Sequence, residues 1–177
     1  MTSAWEAVRL KRAIRRFDER PLEPAHLERI LEAGRRSGSS KNLQRWSFIV
    51  CRDREHLGQL ATLGPYAGHL AGAAVAIALV TPDPRGPEAA LSILFDLGQA
   101  AAAMMLVAWE LGIGSVPATV YEEARARELL GYPADQYCEY LLSFGYPADP
   151  STGTRASLPL SRIANSCSAC RTRLSRA

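Results

Sequence analysis

An α+β fold is the architecture the sequence predicts, and three observations predict it. Helical and extended patterns follow one another without the regular strand–helix–strand repeat of a parallel sheet. One apolar run of strand length, residues 73–80, lacks polar alternation and reads as a strand buried on both faces. A second run, residues 88–111, is long enough for about six turns and nearly apolar all round, which predicts a helix buried on every side.

Element by element, residues 4–13 read as a first helix with Trp5, Val8 and Leu10 facing inward. Arg15, Arg16 and Phe17 leave it in extended form toward Pro21. Pro24 opens a second helix, in which Leu27, Ile30, Leu31 and Gly34 keep helical spacing, and Ser37-Gly38 closes it. Residues 46–52 alternate aromatic and β-branched side chains and read as a strand. A short amphipathic helix over 54–63 follows, then the buried strand and a proline-punctuated loop over 81–87. After the long helix come an extended piece at 115–120, a helix at 122–130 ended by Gly131, and a last core strand at 140–145. Small residues in the long helix, Gly98 and Ala100–Ala103, permit either an ordinary core packing or a close helix–helix seam between two copies. No internal repeat or low-complexity segment interrupts the chain.

With 177 residues, 47 % of them hydrophobic and 22 % charged, the composition is that of one globular domain with a sizeable core. The domain is expected over 1–160, with a basic tail over 161–177. The apolar runs at 70–80 and 97–109 fall short of the roughly 18 to 20 residues that span a bilayer, so no membrane association is expected. A net charge of +3 gives no footprint for nucleic acid. Every acidic residue lies at or before Asp149, so Arg155, Arg162, Arg171, Arg173 and Arg176 stand uncompensated. No apolar run follows Met1, and the four cysteines read as reduced thiols, so a cytoplasmic location is expected.

Several chemistries are disfavoured by the motifs. Gly112 and Gly114 form a G-x-G preceded by a helix rather than a strand, which rejects a dinucleotide fingerprint. His26, His56 and His69 are scattered without metal-ligand spacing. Cys167 and Cys170 form a C-x-x-C in a polar tail, without two further ligands or a thioredoxin-like context. Three segments remain. Lys11–Phe17 offers converging cations suited to phosphate or carbonyl oxygen, or else a solvated basic face. Residues 37–46 carry small hydroxyl residues and open backbone amides, suited to phosphate or ring carbonyls, or else to a plain turn. Residues 112–120 carry glycines that permit close backbone approach to a ligand.

In order and spacing, these segments resemble the nitroreductase family of flavin-dependent oxidoreductases. Lys11–Phe17 is similar to that family's R-R-S-x-R-x-F opening, and residues 39–46 to its S-S-x-N-x-Q-P-W segment ahead of an F-I-V strand. Residues 96–105 resemble its long central helix, residues 111–116 its approach to the flavin ring, and residues 129–133 with 144–147 its closing signature. The chain departs from the pattern at Lys11 (usually Arg), Ala13 (usually Ser), Gly38 (commonly Pro) and Arg45 (Pro before Trp46), and Ser157 occupies a position often basic. The loop over 81–87 is short where longer relatives carry a lid.

The resemblance implies a mixed, mostly antiparallel sheet flanked by helices, in an intertwined homodimer with FMN at the interface. It assigns the FMN phosphate to Lys11 and Arg155 with help from Arg12, and the pyrimidine end of the ring to Arg15. Ala13, Gly38, Ser39, Ser40 and Asn42 belong to the binding surface. Pro117, Ala118, Thr119 and Val120 run along the ring with a backbone N–H near N5. No side chain acts as a catalytic nucleophile and no metal is expected, because FMN carries the chemistry. NADPH or NADH is the implied donor, in ping-pong turnover with an electron-poor acceptor such as a nitroaromatic, quinone or flavin. The same family also dehalogenates, fragments flavin or oxidises azolines, and a flavin-binding protein with little turnover is the remaining alternative.

Overall fold

In a computed structural model of the chain, residues 3–86 and 89–149 are described. They form α1 (Ala4–Leu10), α2 (Pro24–Arg35), β1 (Ser47–Cys51), α3 (Arg54–Leu60), β2 (Val75–Pro82), α4 (Ile93–Glu110), β3 (Gly114–Thr119), α5 (Glu123–Leu130) and β4 (Gln136–Gly145). Short 3₁₀ turns at Ser40–Asn42 and Ala67–Gly72 complete the described elements. The strands form one sheet in the order β1-β2-β4-β3, all antiparallel. Among the described residues, parallel pairing is confined to one bridge, between Ala13 and Ser115.

Strand β2 is buried through Thr81 because helices cover both faces of the sheet. Alternate side chains of a strand point to opposite faces, so β2 feeds two cores. Ala76, Ala78 and Val80 join Leu57, Leu60, Leu70 and Leu141 on the α3/α5 face. Ile77 and Leu79 join Ile30, Leu97, Met104, Leu142 and Phe144 beneath α2 and α4. Helices α2 and α4 approach closely at Gly34, where a Cβ would collide with the Met104 side chain. Gly131, at φ +70°, caps α5 in the left-handed region where glycine carries no Cβ penalty.

Four expectations need correction. Helix α1 ends at Leu10 rather than residue 13, because Lys11 turns extended (φ −54°, ψ 130°) and the next residues pair with β3. Trp5 and Val8 do not face inward; they are 69 % and 60 % exposed. Helix α4 begins at Ile93, after a turn at 91–92, and is not buried all round: Leu94 and Phe95 are exposed. Its 18 residues are apolar enough for a membrane span by composition, yet Leu97, Met104 and Ala108 pack into the sheet's core. Strand β4 starts four residues before the predicted Tyr140, because a bulge at Leu79/Val80 lets Gln136–Cys138 pair with the end of β2.

Candidate active site

Leaving α1, the basic segment lies along the outer edge of β3. The Ile14 amide donates to the Ser115 carbonyl at 3.2 Å, beside the Ala13–Ser115 bridge. Gly114 permits this approach, since a Cβ there would stand 2.6 Å from the Ile14 Cβ. The close approach that the glycines were expected to offer a ligand is thus taken at Gly114 by the chain itself, while Gly112 (φ +72°) makes the turn into β3.

Lys11 and Arg12 line a cleft of about 730 Å³ with Asp18, Arg20 and Trp109. Burial holds the Lys11 ammonium below the usual lysine pKa. Its nearest partner is the Met105 sulfur at 3.5 Å, a weak acceptor. No salt bridge from Lys11 occurs among the described residues, so a desolvated cation stands without its anion. Arg12 turns back on the end of α1, donating to the carbonyls of Arg9 (2.8 Å) and Lys11 (3.0 Å). Met105 also lines a second, apolar cavity of about 250 Å³, with Leu97, Gly98, Pro117, Tyr140 and Leu142. Lys11 therefore joins a basic cleft to an apolar slot.

The hydrogen-bond pattern of β3 fixes what its outer edge offers. In an antiparallel pair, successive residues direct their N–H and C=O alternately toward and away from the partner strand. The Val120 amide donates to Glu139 at 2.9 Å, whereas the Ser115 carbonyl faces outward to Ile14. Ser115, Pro117 and Thr119 therefore share the outer edge. Pro117 has no N–H, so beyond the bridge of Ser115 to Ala13 the edge offers the Thr119 amide as a donor. Ala118 is buried in the α3/α5 core, and Thr119 and Val120 are half-buried at the strand end. Arg15 is exposed and lies close enough to His69 to act on its titration.

The hydroxyl-rich loop sits elsewhere. The Ser39 Oγ accepts from the Gln44 amide at 2.9 Å, and the Ser40 amide donates to Asp96 Oδ2 at 2.9 Å, anchoring the loop to the first turn of α4. Lys41, Asn42 and Gln44 all adopt positive φ (54°, 54° and 46°), a strained run for side-chain-bearing residues. Gly38 is exposed with open space around it. None of residues 38–42 lines either cavity. Asp96 and Met105 are nine residues apart, roughly 13 to 14 Å along the helix. One chain thus brings Lys11, Arg12, Ala13 and Arg15 to β3, and keeps the Ser39–Asn42 loop apart. Arg155, Cys167 and Cys170 lie outside the described residues.

Sequence reasoning missed Asp96, Met105, His69 and Ser143 as contributors. Asp96 and Met105 bound the helical stretch that carries the resemblance, but nothing local marks their partners. His69 has no spacing signal at all, because its partners come from β3 and β4. Among the described residues no group of three His, Cys, Asp or Glu could hold a metal.

The family model described as the nitroreductase family matches residues 8–67 and 61–146. A protein of Archaeoglobus fulgidus, provisionally named NADH dehydrogenase/NAD(P)H nitroreductase, is 34 % identical over 154 residues, covering 84 % of this chain and 88 % of that one. The NADPH-flavin oxidoreductase of Vibrio harveyi is 26 % identical, over 90 % of this chain and 71 % of its own. Among solved structures, the FMN-dependent nitroreductase of Clostridium difficile superposes with a TM-score of 0.71 at 27 % identity, covering 85 % of this chain and 89 % of that one. The matched spans contain the basic segment, the hydroxyl-rich loop and strand β3 together, and the chain that carries them belongs to the nitroreductase family.

Proposed function

We propose that the chain is an FMN-dependent oxidoreductase that passes hydride from NAD(P)H to an electron-poor acceptor in ping-pong turnover, with nitroaromatics, quinones and flavins as the acceptor classes to test. Lys11 carries this reading: a half-buried ammonium without a carboxylate partner among the described residues, placed between a basic cleft and an apolar slot. That donor set fits FMN, an anion joined to a flat apolar ring with polar edges. The relatives from Vibrio harveyi and Clostridium difficile, named for flavin and FMN, support the same cofactor.

Bound FMN supplies one ring that both accepts and gives two electrons. The chain's own residues bind and orient it. Lys11 and Arg12 hold the phosphate, where a charge-assisted hydrogen bond contributes about 1.5 to 3 kcal/mol, and Arg155 is their partner from the tail. Arg15 places fixed positive charge at the pyrimidine end, which favours the electron-loaded state. The Thr119 amide would donate a hydrogen bond to the ring, and Pro117, Met105 and Leu142, which line the apolar slot, would exclude water from it.

Gly38, Ser39, Ser40 and Asn42 serve the site across a homodimer. In one chain the loop is held at Asp96, far from Lys11, and the faces that would meet a second copy are apolar. Leu94 is 47 % and Phe95 is 70 % exposed on α4, and α1 presents Trp5 and Val8 beside the same helix. A cytoplasmic location suits a NAD(P)H donor.

The test is direct. The purified protein should take up FMN, bleach anaerobically with NADPH or NADH, and regain its colour on addition of a quinone. Lys11→Ala should weaken FMN binding about tenfold to a hundredfold, as the loss of one charge-assisted bond implies. A protein that takes up no FMN at saturating concentration overturns the reading.

A further inference from the structure

His69 stands behind the outer edge of β3, on the sheet face that packs against α3 and α5. Its Nδ1 lies 2.9 Å from the Ser143 Oγ, and Ser143 is fully buried on β4. The Ser143 hydroxyl also reaches the Val116 carbonyl at 3.1 Å. The outward-facing Pro117 carbonyl, two residues before the Thr119 amide, is near enough to favour the protonated ring.

These partners do not treat the two protonation states equally. A neutral imidazole has one N–H, whereas Ser143 and the Pro117 carbonyl are two acceptors. If the N–H goes to Pro117, the Ser143 hydroxyl must turn to Nδ1 and release Val116. If it goes to Ser143, the Pro117 carbonyl loses its donor. The imidazolium satisfies all three groups at once. Against this stand burial first and the Arg15 guanidinium second, which hold the ring below the usual histidine pKa. Arg15 is the charged group that acts on the ring among the described residues; β3 and β4 offer carbonyls and a hydroxyl. Arg54 of α3 is directed at the Ala71 and Ala73 carbonyls, on the far side of the turn. The imidazole is held neutral by a narrow balance, and a negative charge arriving at the Pro117–Thr119 edge tips it.

We propose that His69 binds a proton from solvent when the cofactor at this edge receives electrons, and releases it when they leave. The inference rests on the FMN reading above. Hydride brings two electrons and one proton, leaving one added negative charge at the ring. A water-derived proton then binds the imidazole nitrogen that carries none and offsets that charge, leaving the Ser143 hydroxyl to donate to the Val116 carbonyl while it accepts from Nδ1. Passing two electrons and two protons to the acceptor restores neutral His69.

The reduction potential of the FMN-loaded protein, measured against pH, tests this. For a two-electron couple, each proton taken up turns a tenfold change in proton concentration into about 30 mV. The wild-type slope should therefore steepen to about 59 mV per pH unit between the His69 midpoints of the two redox states. His69→Gln should remain near 30 mV over that range while still binding FMN. Equal slopes in the two proteins overturn the proposal. Should His69→Gln fail to fold, imidazole NMR titration of the wild type decides: the His69 midpoint rises on reduction, and an unchanged midpoint overturns the proposal. Failure to bind FMN removes the functional reading as well, whereas an unchanged midpoint with FMN bound removes this inference alone.

Discussion

Gly114 and Gly145 lie where the N-terminal segment crosses β3 and β4, and a Cβ at either would stand 2.6 Å from Ile14 or 2.9 Å from Phe17. Neither neighbour can yield cheaply, because Ile14 is β-branched and buried, and Phe17 is pinned by its bridge to Pro147. Gly114→Ala should cost about 1 to 3 kcal/mol by overpacking, read from denaturant unfolding. It should also loosen FMN binding by moving Lys11. Gly58→Ala is the counterpart: α3 has open space there, and removing a helical glycine should stabilise by about 0.5 to 1 kcal/mol. A destabilised Gly58→Ala, or a neutral Gly114→Ala, would refute this account of the packing. At this scale the sequence was only partly legible. The cations and glycines were visible as types, and Lys11 and Ala13 lie beside Ser115 of β3. That Gly114 accommodates Ile14, and that His69 reaches Ser143, are long-range pairings that no local spacing encodes.

Elements show a different pattern of success. Helix α2, strand β2 and the Gly131 stop of α5 follow from periodicity and caps, because those signals are local and tertiary packing agrees with them. Helix α1 fails at its C-terminus because pairing with β3 competes with the helix, and its apolar face is legible while its occupant is not. The loop after β2 is tied down by charge. Arg85 bridges Asp83 (2.7 Å) and Glu123 of α5 (2.8 Å), and its guanidinium stacks on the Tyr137 ring. Hydrogen bonds from Arg85 lower the Asp83 pKa from 3.8 to about 2. With the folded pKa depressed, this contribution is fully present above the unfolded value near 3.8 and is lost as pH falls toward about 2. Arg85→Ala should therefore unfold at a higher pH than wild type on acid titration. The gap should narrow in 1 M salt, since the pair is exposed and screened. Identical acid midpoints at low salt would show that the pair contributes nothing to stability.

At the scale of the whole molecule, the separation along α4 of the two surfaces proposed to bind FMN would make cofactor binding a property of the assembly. Lys11 and the outer edge of β3 lie near Met105, while the Ser39–Asn42 loop is fixed at Asp96. If a second copy supplies its loop to the first copy's cleft, FMN binding and association of copies must favour one another by the same factor. Apparent FMN affinity should then rise with protein concentration until association saturates, and FMN should shift the sedimentation profile toward the larger species. Phe95→Lys places a charge on the exposed apolar face of α4 without touching either cavity. It should give a folded single copy whose FMN affinity is at least tenfold weaker and no longer depends on concentration. The apolar helix was legible in the sequence, which left open whether its own chain or a second copy covers it. In the folded chain Phe95 stays uncovered on that helix, and the proposal gives this face to a second copy. Concentration-independent binding in the wild type, or undiminished affinity in Phe95→Lys single copies, would mean that one chain holds the cofactor alone.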